Sequence, residues 1–164
     1  MRELFTNIYI GSDIDYNAIK GQTEWAVLHC CKHPYHCQFV GYKGNLPAAH
    51  PDYALKRIDN EMALNLVDMD KFDSQYLGFN RNMFQRAFEF LDEYRTRGYK
   101  LLIHCNQGES RAPTLGMLYV AYLGLWGKID FASAVNRLEQ IYPSYSPRNN
   151  IFHTVENLWY VFVK

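Results

Sequence analysis

The segment Lys100-Leu101-Leu102-Ile103-His104-Cys105-Asn106-Gln107-Gly108-Glu109-Ser110-Arg111 passes from an apolar run into a glycine-containing turn, and the residues after it read as a helix. In a strand, tight turn, helix sequence, several backbone N–H groups converge ahead of a helix N-terminus and form an anion site. Gly108 allows the backbone to curl close to the bound oxygens. Arg111 supplies a planar fork that can hold two of those oxygens at once, which lysine cannot do. Cys105 adds a nucleophile, because a thiol at a helix N-terminus beside an arginine is expected to ionise near neutral pH and can attack phosphorus in line. The amides of Asn106, Gln107, Gly108, Glu109 and Ser110, with Arg111, would then hold the equatorial charge of the transition state. Neither a metal nor another cofactor is expected. Taken singly, Cys105 would read as a core cysteine and Gly108 as a turn residue. A glycine three residues after the cysteine and an arginine six after it, placed between strand and helix, point instead to a site.

Outward from this segment the chain alternates strands and helices. Residues 4–12 read as one strand ending at Gly11-Ser12, residues 13–20 as a short helix stopped by Gly21, and residues 25–30 as an apolar strand. Residues 31–60, punctuated by Gly41, Gly44, Pro47 and Pro51, form a long loop with one helical piece near residues 52–56. Residues 62–67 resemble a strand, with Asp68, Asp70 and Asp73 on the loop beyond its carboxyl end. Apolar side chains recur at helical spacing across residues 79–94, with Gly98 just past the stop. Residues 100–104 are a buried strand, and residues 111–123 a helix that tolerates Pro113 in its first turn. Asp130 reads as the N-cap of a helix reaching residue 141, and a last helix covers residues 150–161.

The expected fold class is therefore α/β: a central mixed, mostly parallel sheet of four to five strands flanked by helices, in one domain over residues 1–164. A chain of 164 residues with 48% hydrophobic and 21% charged side chains is suited to one buried core. The 17 basic and 17 acidic side chains cancel, so no overall field draws the chain to nucleic acid or to an acidic membrane. The N-terminal residues lack the apolar stretch of a secretory signal. Together with a thiol meant to react, this points to a reducing, cytoplasmic setting; a monomer is expected.

The run His104-Cys105-Asn106-Gln107-Gly108-Glu109-Ser110-Arg111 resembles the HCxxGxxR signature of the protein tyrosine phosphatase superfamily, and the short chain is similar to its dual-specificity branch. Asn7-Ile8-Tyr9-Ile10-Gly11-Ser12 resembles the opening strand of that branch, and residues 144–149 its late proline-containing turn. Residues 31–60 match compact members least and are similar to prokaryotic and phage relatives. The resemblance implies phosphomonoester hydrolysis through a phosphocysteine at Cys105, with Arg111 gripping the phosphoryl group. Two other readings stand beside it: a phosphate-reading binding module with weak turnover, and a phosphatase on a non-protein phosphate such as an RNA 5′ end. The family has Ser or Thr after the arginine, where the hydroxyl helps the cysteine leave as thiolate. This chain has Ala112, so breakdown of the phosphocysteine is expected to be slow unless Ser110 or Thr114 substitutes.

Expelling the leaving group requires a carboxylic acid opposite the thiolate. Asp68 is favoured because it follows Leu66-Val67 as the family's acid follows its strand. Counting back through the helix favours Asp73, and aligning residues 64–66 favours Asp70. Aspartates after strands also cap turns or face water, and at least two of the three are expected to do so.

The stretch His29-Cys30-Cys31-Lys32-His33-Pro34-Tyr35-His36-Cys37 is rich in metal-ligand residue types, yet its spacing is irregular for zinc. A reversible disulfide between Cys105 and Cys30, Cys31 or Cys37 is an alternative use for it. His104 is expected to brace the loop rather than transfer protons. With Gln107 and Glu109 at the rim and no lysine there, the favoured substrate is a phosphoprotein carrying phosphotyrosine, with or without phosphoserine and phosphothreonine.

Overall fold

The apolar runs that end at Gly11, His29, Leu64 and His104 lie side by side in parallel. The computed structural model describes residues 1–164. In chain order its elements are β1 (Arg2–Phe5), β2 (Ile8–Gly11), α1 (Asp13–Ile19) and β3 (Trp25–His29). A helical turn over Lys32–His36 then leads into α2 (Cys37–Val40), followed by β4 (Leu55–Ile58), β5 (Glu61–Leu64) and α3 (Leu77–Thr96). Last come β6 (Lys100–His104), α4 (Arg111–Tyr122), α5 (Phe131–Ile141) and α6 (Asn149–Phe162). The sheet order is β1-β2-β6-β3-β5-β4.

The parallel centre agrees with the expected mixed sheet, and the strand count is six rather than four to five. Both additions are edge strands paired antiparallel to their neighbours. Residues 4–12 are not one strand: the chain turns at Thr6-Asn7 between β1 and β2, with Asn7 at φ 62°. Asparagine accepts this left-handed conformation more readily than most residues. The helical piece expected near residues 52–56 is instead the entry to β4, which pairs Leu55 with Leu64 and Ile58 with Glu61. Pairing with a distant strand overrides local propensity there. The strand expected over residues 62–67 ends at Leu64, so Leu66 and Val67 belong to the loop.

Alternation along β6 sends successive side chains to opposite faces. Helix α4 packs on the face of Ile103, so closely that a Cβ on Gly116 would meet Ile10 Cγ2 at 2.5 Å. On the other face His104 stacks against Tyr16 of α1 at 5.0 Å between ring centres. Every residue of α4 from Arg111 to Ala121 is buried. A helix apolar on all sides can be stable only in this central position, between the sheet and the α5 and α6 layer. Arg111 therefore begins the most deeply embedded helix of the molecule, and one cluster of 46 buried residues supports it.

Candidate active site

Four parallel strands end at one edge of the sheet, and the segment after β6 curls there into a loop before α4. Cys105 lies at its floor, 2% exposed. The Ala112 N–H points at Cys105 Sγ from 3.4 Å, so the first turn of α4 donates to the sulfur. The amides of Gln107, Gly108, Glu109 and Ser110 donate to no other group of the protein, which leaves them free for an anion. Gly108 has φ +75°, and a Cβ there would lie 2.9 Å from the backbone carbon and oxygen of Gly11. Only glycine satisfies both the conformation and the approach of the loop to the end of β2.

Arg111 is held from two sides. Its Nη1 donates to the Leu66 carbonyl at 3.1 Å, and its Nη2 to Asn106 Oδ1 at 2.9 Å. Nε has no hydrogen-bond partner and lies 3.9 Å from Asp68 Oδ2. A guanidinium pinned at its two ends in a buried site keeps its fork oriented before a ligand arrives.

The cleft over the loop has a volume of about 570 Å³, and both Asp68 and Asp70 line it with Cys105, Arg111 and Arg148. Asp68 accepts from Ser110 Oγ at 2.9 Å and is one-fifth exposed. Asp70 projects into solvent, 83% exposed, and pairs with Arg148 at 2.6 Å. Asp73 is not part of the cleft wall; it caps the short helical turn at Ser74–Tyr76 by accepting from the Gln75 N–H at 3.1 Å. The loop Asp68–Asp73 thus places two carboxylates on the cleft, Asp68 half-sheltered against Ser110 and Asp70 at the open rim, and uses the third as a cap.

The hydroxyls considered as substitutes for the missing one at residue 112 are both engaged elsewhere. Ser110 Oγ donates to Asp68, and Thr114 Oγ1 donates to the Ser110 carbonyl at 2.6 Å. The donor that reaches Cys105 Sγ is the Ala112 backbone. Arg148, which sequence reasoning did not single out, forms the opposite wall: its N–H donates to Ser110 Oγ at 3.0 Å, and Ser146 N donates to the Glu109 carbonyl at 2.8 Å. The available signal was the proline-containing turn at residues 144–149, which supplies this wall.

The His/Cys-rich stretch divides among unrelated tasks. His29 is buried against His104, and His36 bonds to Tyr42 and to the Asp52 carbonyl. Cys37 Sγ lies 3.3 Å from His33 Nδ1. No three His, Cys, Asp or Glu side chains converge as a metal would require. All four cysteines are free thiols. Cys30 is the neighbour of Cys105 across the β3–β6 pair, since its N–H donates to the His104 carbonyl at 2.8 Å. Burial pushes the Cys30 thiol up and the Cys31 thiol up to about 12, so neither ionises readily.

No family model matches the chain. Over 67 residues, 41% of its length, the chain is 40% identical to tyrosine-protein phosphatase vhp-1 of Caenorhabditis elegans, spanning 10% of that protein. Over 37 residues it is 49% identical to human dual specificity protein phosphatase 5, again 10% of that protein. The chain thus spans about a tenth of the length of these curated relatives. The likeness to solved structures covers nearly the whole chain. The crystal structure of DUSP15 superposes with TM-score 0.65 at 13% identity, covering 98% of this chain and 87% of that one. Human tyrosine phosphatase-like serine/threonine/tyrosine-interacting protein gives 0.64 at 16% identity, covering 99% and 97%. By fold and by signature loop the chain is dual-specificity phosphatase-like. At such low identity the structural neighbours establish the fold, and the chemistry of this phosphatase-like chain rests on its own residues.

Proposed function

We propose that this chain is a phosphomonoester hydrolase of the protein tyrosine or dual-specificity type, acting on phosphorylated protein through a phosphocysteine intermediate. The observation that carries this reading is the position of Cys105 Sγ beneath a loop of unengaged amides, with the Arg111 fork pinned beside it.

In the first step the Cys105 thiolate attacks phosphorus, forming an S–P bond as the P–O bond to the leaving group breaks. The loop amides and Arg111 neutralise the three equatorial oxygens, and a carboxylic acid delivers a proton to the departing oxygen. Asp68 is the acid in this reading: it is bonded to Ser110 of the loop and one-fifth exposed, whereas Asp70, on the same cleft wall, is mostly exposed and paired with Arg148, and Asp73 serves as a cap. In the second step the Asp68 carboxylate takes a proton from water as its oxygen attacks the phosphocysteine, the S–P bond breaks, and the thiolate departs with the Ala112 N–H as donor to the sulfur, which restores both groups.

Turnover of p-nitrophenyl phosphate that disappears in Cys105→Ser is the expected result. Phosphate binding without turnover in the wild type would reject the enzyme reading and leave the phosphate-reading module. Besides Arg111, the cleft is lined by a single arginine, Arg148, already paired with Asp70, so its charge favours a single phosphate on a peptide over a polyphosphorylated ligand. A preference for phosphotyrosyl peptide over a 5′-phosphorylated RNA end is expected; the opposite preference would overturn the substrate assignment.

A further inference from the structure

The loop that carries Asp68 is a wall with a cavity on each side. From residue 67 to residue 70 the lining alternates: Asp68 and Asp70 border the cleft over Cys105, whereas Val67 and Met69 border a second groove of about 490 Å³. The same division holds at the start of α6, where Asn149 lines the cleft and Asn150 the groove. Two cavities that take alternate residues of one segment are separated by the thickness of that segment alone. The wall is fastened on both sides. The Leu66 carbonyl accepts from Arg111 Nη1 at 3.1 Å and from the Lys32 N–H at 2.9 Å, and the Met69 carbonyl accepts from the Asn150 N–H at 3.2 Å.

The groove is largely apolar and open. Its far side is the long connection between β3 and β4, through Leu46, Ala48 and Tyr53, and the first turn of α3 adds Phe79, whose ring meets that of Tyr53 at 5.5 Å. Val67, Met69 and Tyr76, three of the nine exposed large apolar side chains of the molecule, all line it. Single apolar side chains on a surface are ordinary, but a contiguous group of them beside a cleft marks a surface that another molecule covers.

Two polar side chains of the groove indicate what that molecule is. Asn80 and Asn150 are each 7% exposed, and the side-chain amide of neither hydrogen-bonds within the protein. An amide left unpaired in so buried a place costs free energy, and each offers both a donor and an acceptor, which a peptide main chain matches with its own. Lys32 is the one charged residue of the groove and enters no ion pair, so a basic side chain is disfavoured there. A peptide segment with an apolar side chain satisfies the apolar wall and the two amides together.

We propose that this groove receives an apolar side chain of the phosphorylated protein, from a residue close in sequence to the phosphorylated one, while Asn80 and Asn150 pair with the adjoining main chain. The proposal rests on the phosphatase reading for the placement of the phosphate in the cleft. An extended chain advances about 3.3 Å per residue and adjacent chains lie about 4.8 Å apart, so crossing the wall takes about two or three residues. Leu46, Ala48 and Tyr76 thereby select among substrates without touching the reacting atoms. A small aryl phosphate enters the cleft alone and does not reach them.

Phosphotyrosyl peptides carrying Leu, Ala or Lys at successive positions on either side of the phosphotyrosine test this. At one position Leu should exceed Ala in kcat/KM by about tenfold, the order that apolar contacts in a pocket supply, and should exceed Lys by more. The double variant Leu46→Ala, Tyr76→Ala strips the groove, and Ala48→Trp fills it from an exposed position. Each should abolish that preference and leave turnover of p-nitrophenyl phosphate unchanged. Should the double variant fail to fold, Ala48→Trp decides. No apolar preference at any position, or a preference that the folded variants retain, overturns the proposal. A dimer that the variants dissociate, with the peptide preference intact, would give the groove to a second copy and overturn it as well. If the wild type turns over neither p-nitrophenyl phosphate nor peptide, the phosphatase reading fails, and fluorescence anisotropy of the same phosphopeptides decides the groove: Leu-selective binding that the variants lose upholds it, and unselective binding rejects it.

Discussion

The residue at which mechanism depends most on local detail is Asp68. It is bonded to Ser110 and lies 3.9 Å from Arg111 Nε, so in the proposed mechanism its proton delivery would be coupled to the groups that would receive phosphate. Asp68→Asn should lower kcat by about a hundredfold or more on an alkyl or phenyl phosphate, within the usual range for losing a general acid, and much less on an ester with a good leaving group. Asp70→Asn and Asp73→Asn should change neither substrate's kinetics by a comparable factor. Equal losses for good and poor leaving groups in Asp68→Asn would count against the assignment. Ala112 is the second such residue. With the hydroxyls of Ser110 and Thr114 committed elsewhere, release of the thiolate should be slow, and rapid mixing should show a burst of product. Ala112→Ser should shrink the burst and raise the steady-state rate; burst-free wild-type kinetics would show that the backbone donor suffices.

Among the elements, α4 has the tightest constraints because it carries Arg111 and fills the centre of the molecule. Its Gly116 lets the helix approach β2, and Ile10, whose Cγ2 methyl a Cβ would strike, is fully buried and β-branched. Gly116→Ala should therefore destabilise by about 1–3 kcal/mol through overpacking, although alanine is the better helix former. Urea unfolding would measure this, and a neutral or stabilising result would mean that the helix can shift away from the sheet at no cost. The elements also differ in how openly the sequence declared them. Helix α3 was legible from its apolar repeat, and α5 from the Asp130 cap, which does accept from the Ser133 N–H at 2.8 Å. Strand β4 was not legible: Leu55-Lys56-Arg57-Ile58 has no alternation, and although Asp59-Asn60 marks a turn after it, it becomes a strand only because β5 offers it an edge.

On the scale of the whole molecule, the buried histidines make stability depend on pH. His104 prefers its neutral form in the folded protein, held down to about 3 by burial, whereas in the unfolded chain it takes up a proton near its ordinary 6.5. The unfolded state therefore binds more protons, and stability falls as pH drops from about 6.5 toward 3, by up to about 1.4 kcal/mol per pH unit for this group. Burial also lowers His29 and His36, and bonding lowers Glu61, so these groups act in the same direction. The urea midpoint should be lower at pH 5 than at pH 7; equal midpoints would mean that the pair accepts a proton without loss. No helix of the molecule is long and apolar enough to cross a membrane.

What the sequence determined alone was the part written in neighbouring residues: the strand, loop and helix around Cys105, the glycine that the loop demands, and the arginine six positions on. Their chemistry is local, so spacing along the chain is enough to read it. Tertiary structure alone decided that Asp68 bonds to Ser110 of the loop, that Arg148 lines the cleft, and that His29 and Glu61 stand behind His104. These relations join residues 32 to 75 positions apart. They exist only because strand pairing and loop packing bring distant side chains within hydrogen-bond reach, a distance that no one-dimensional pattern encodes.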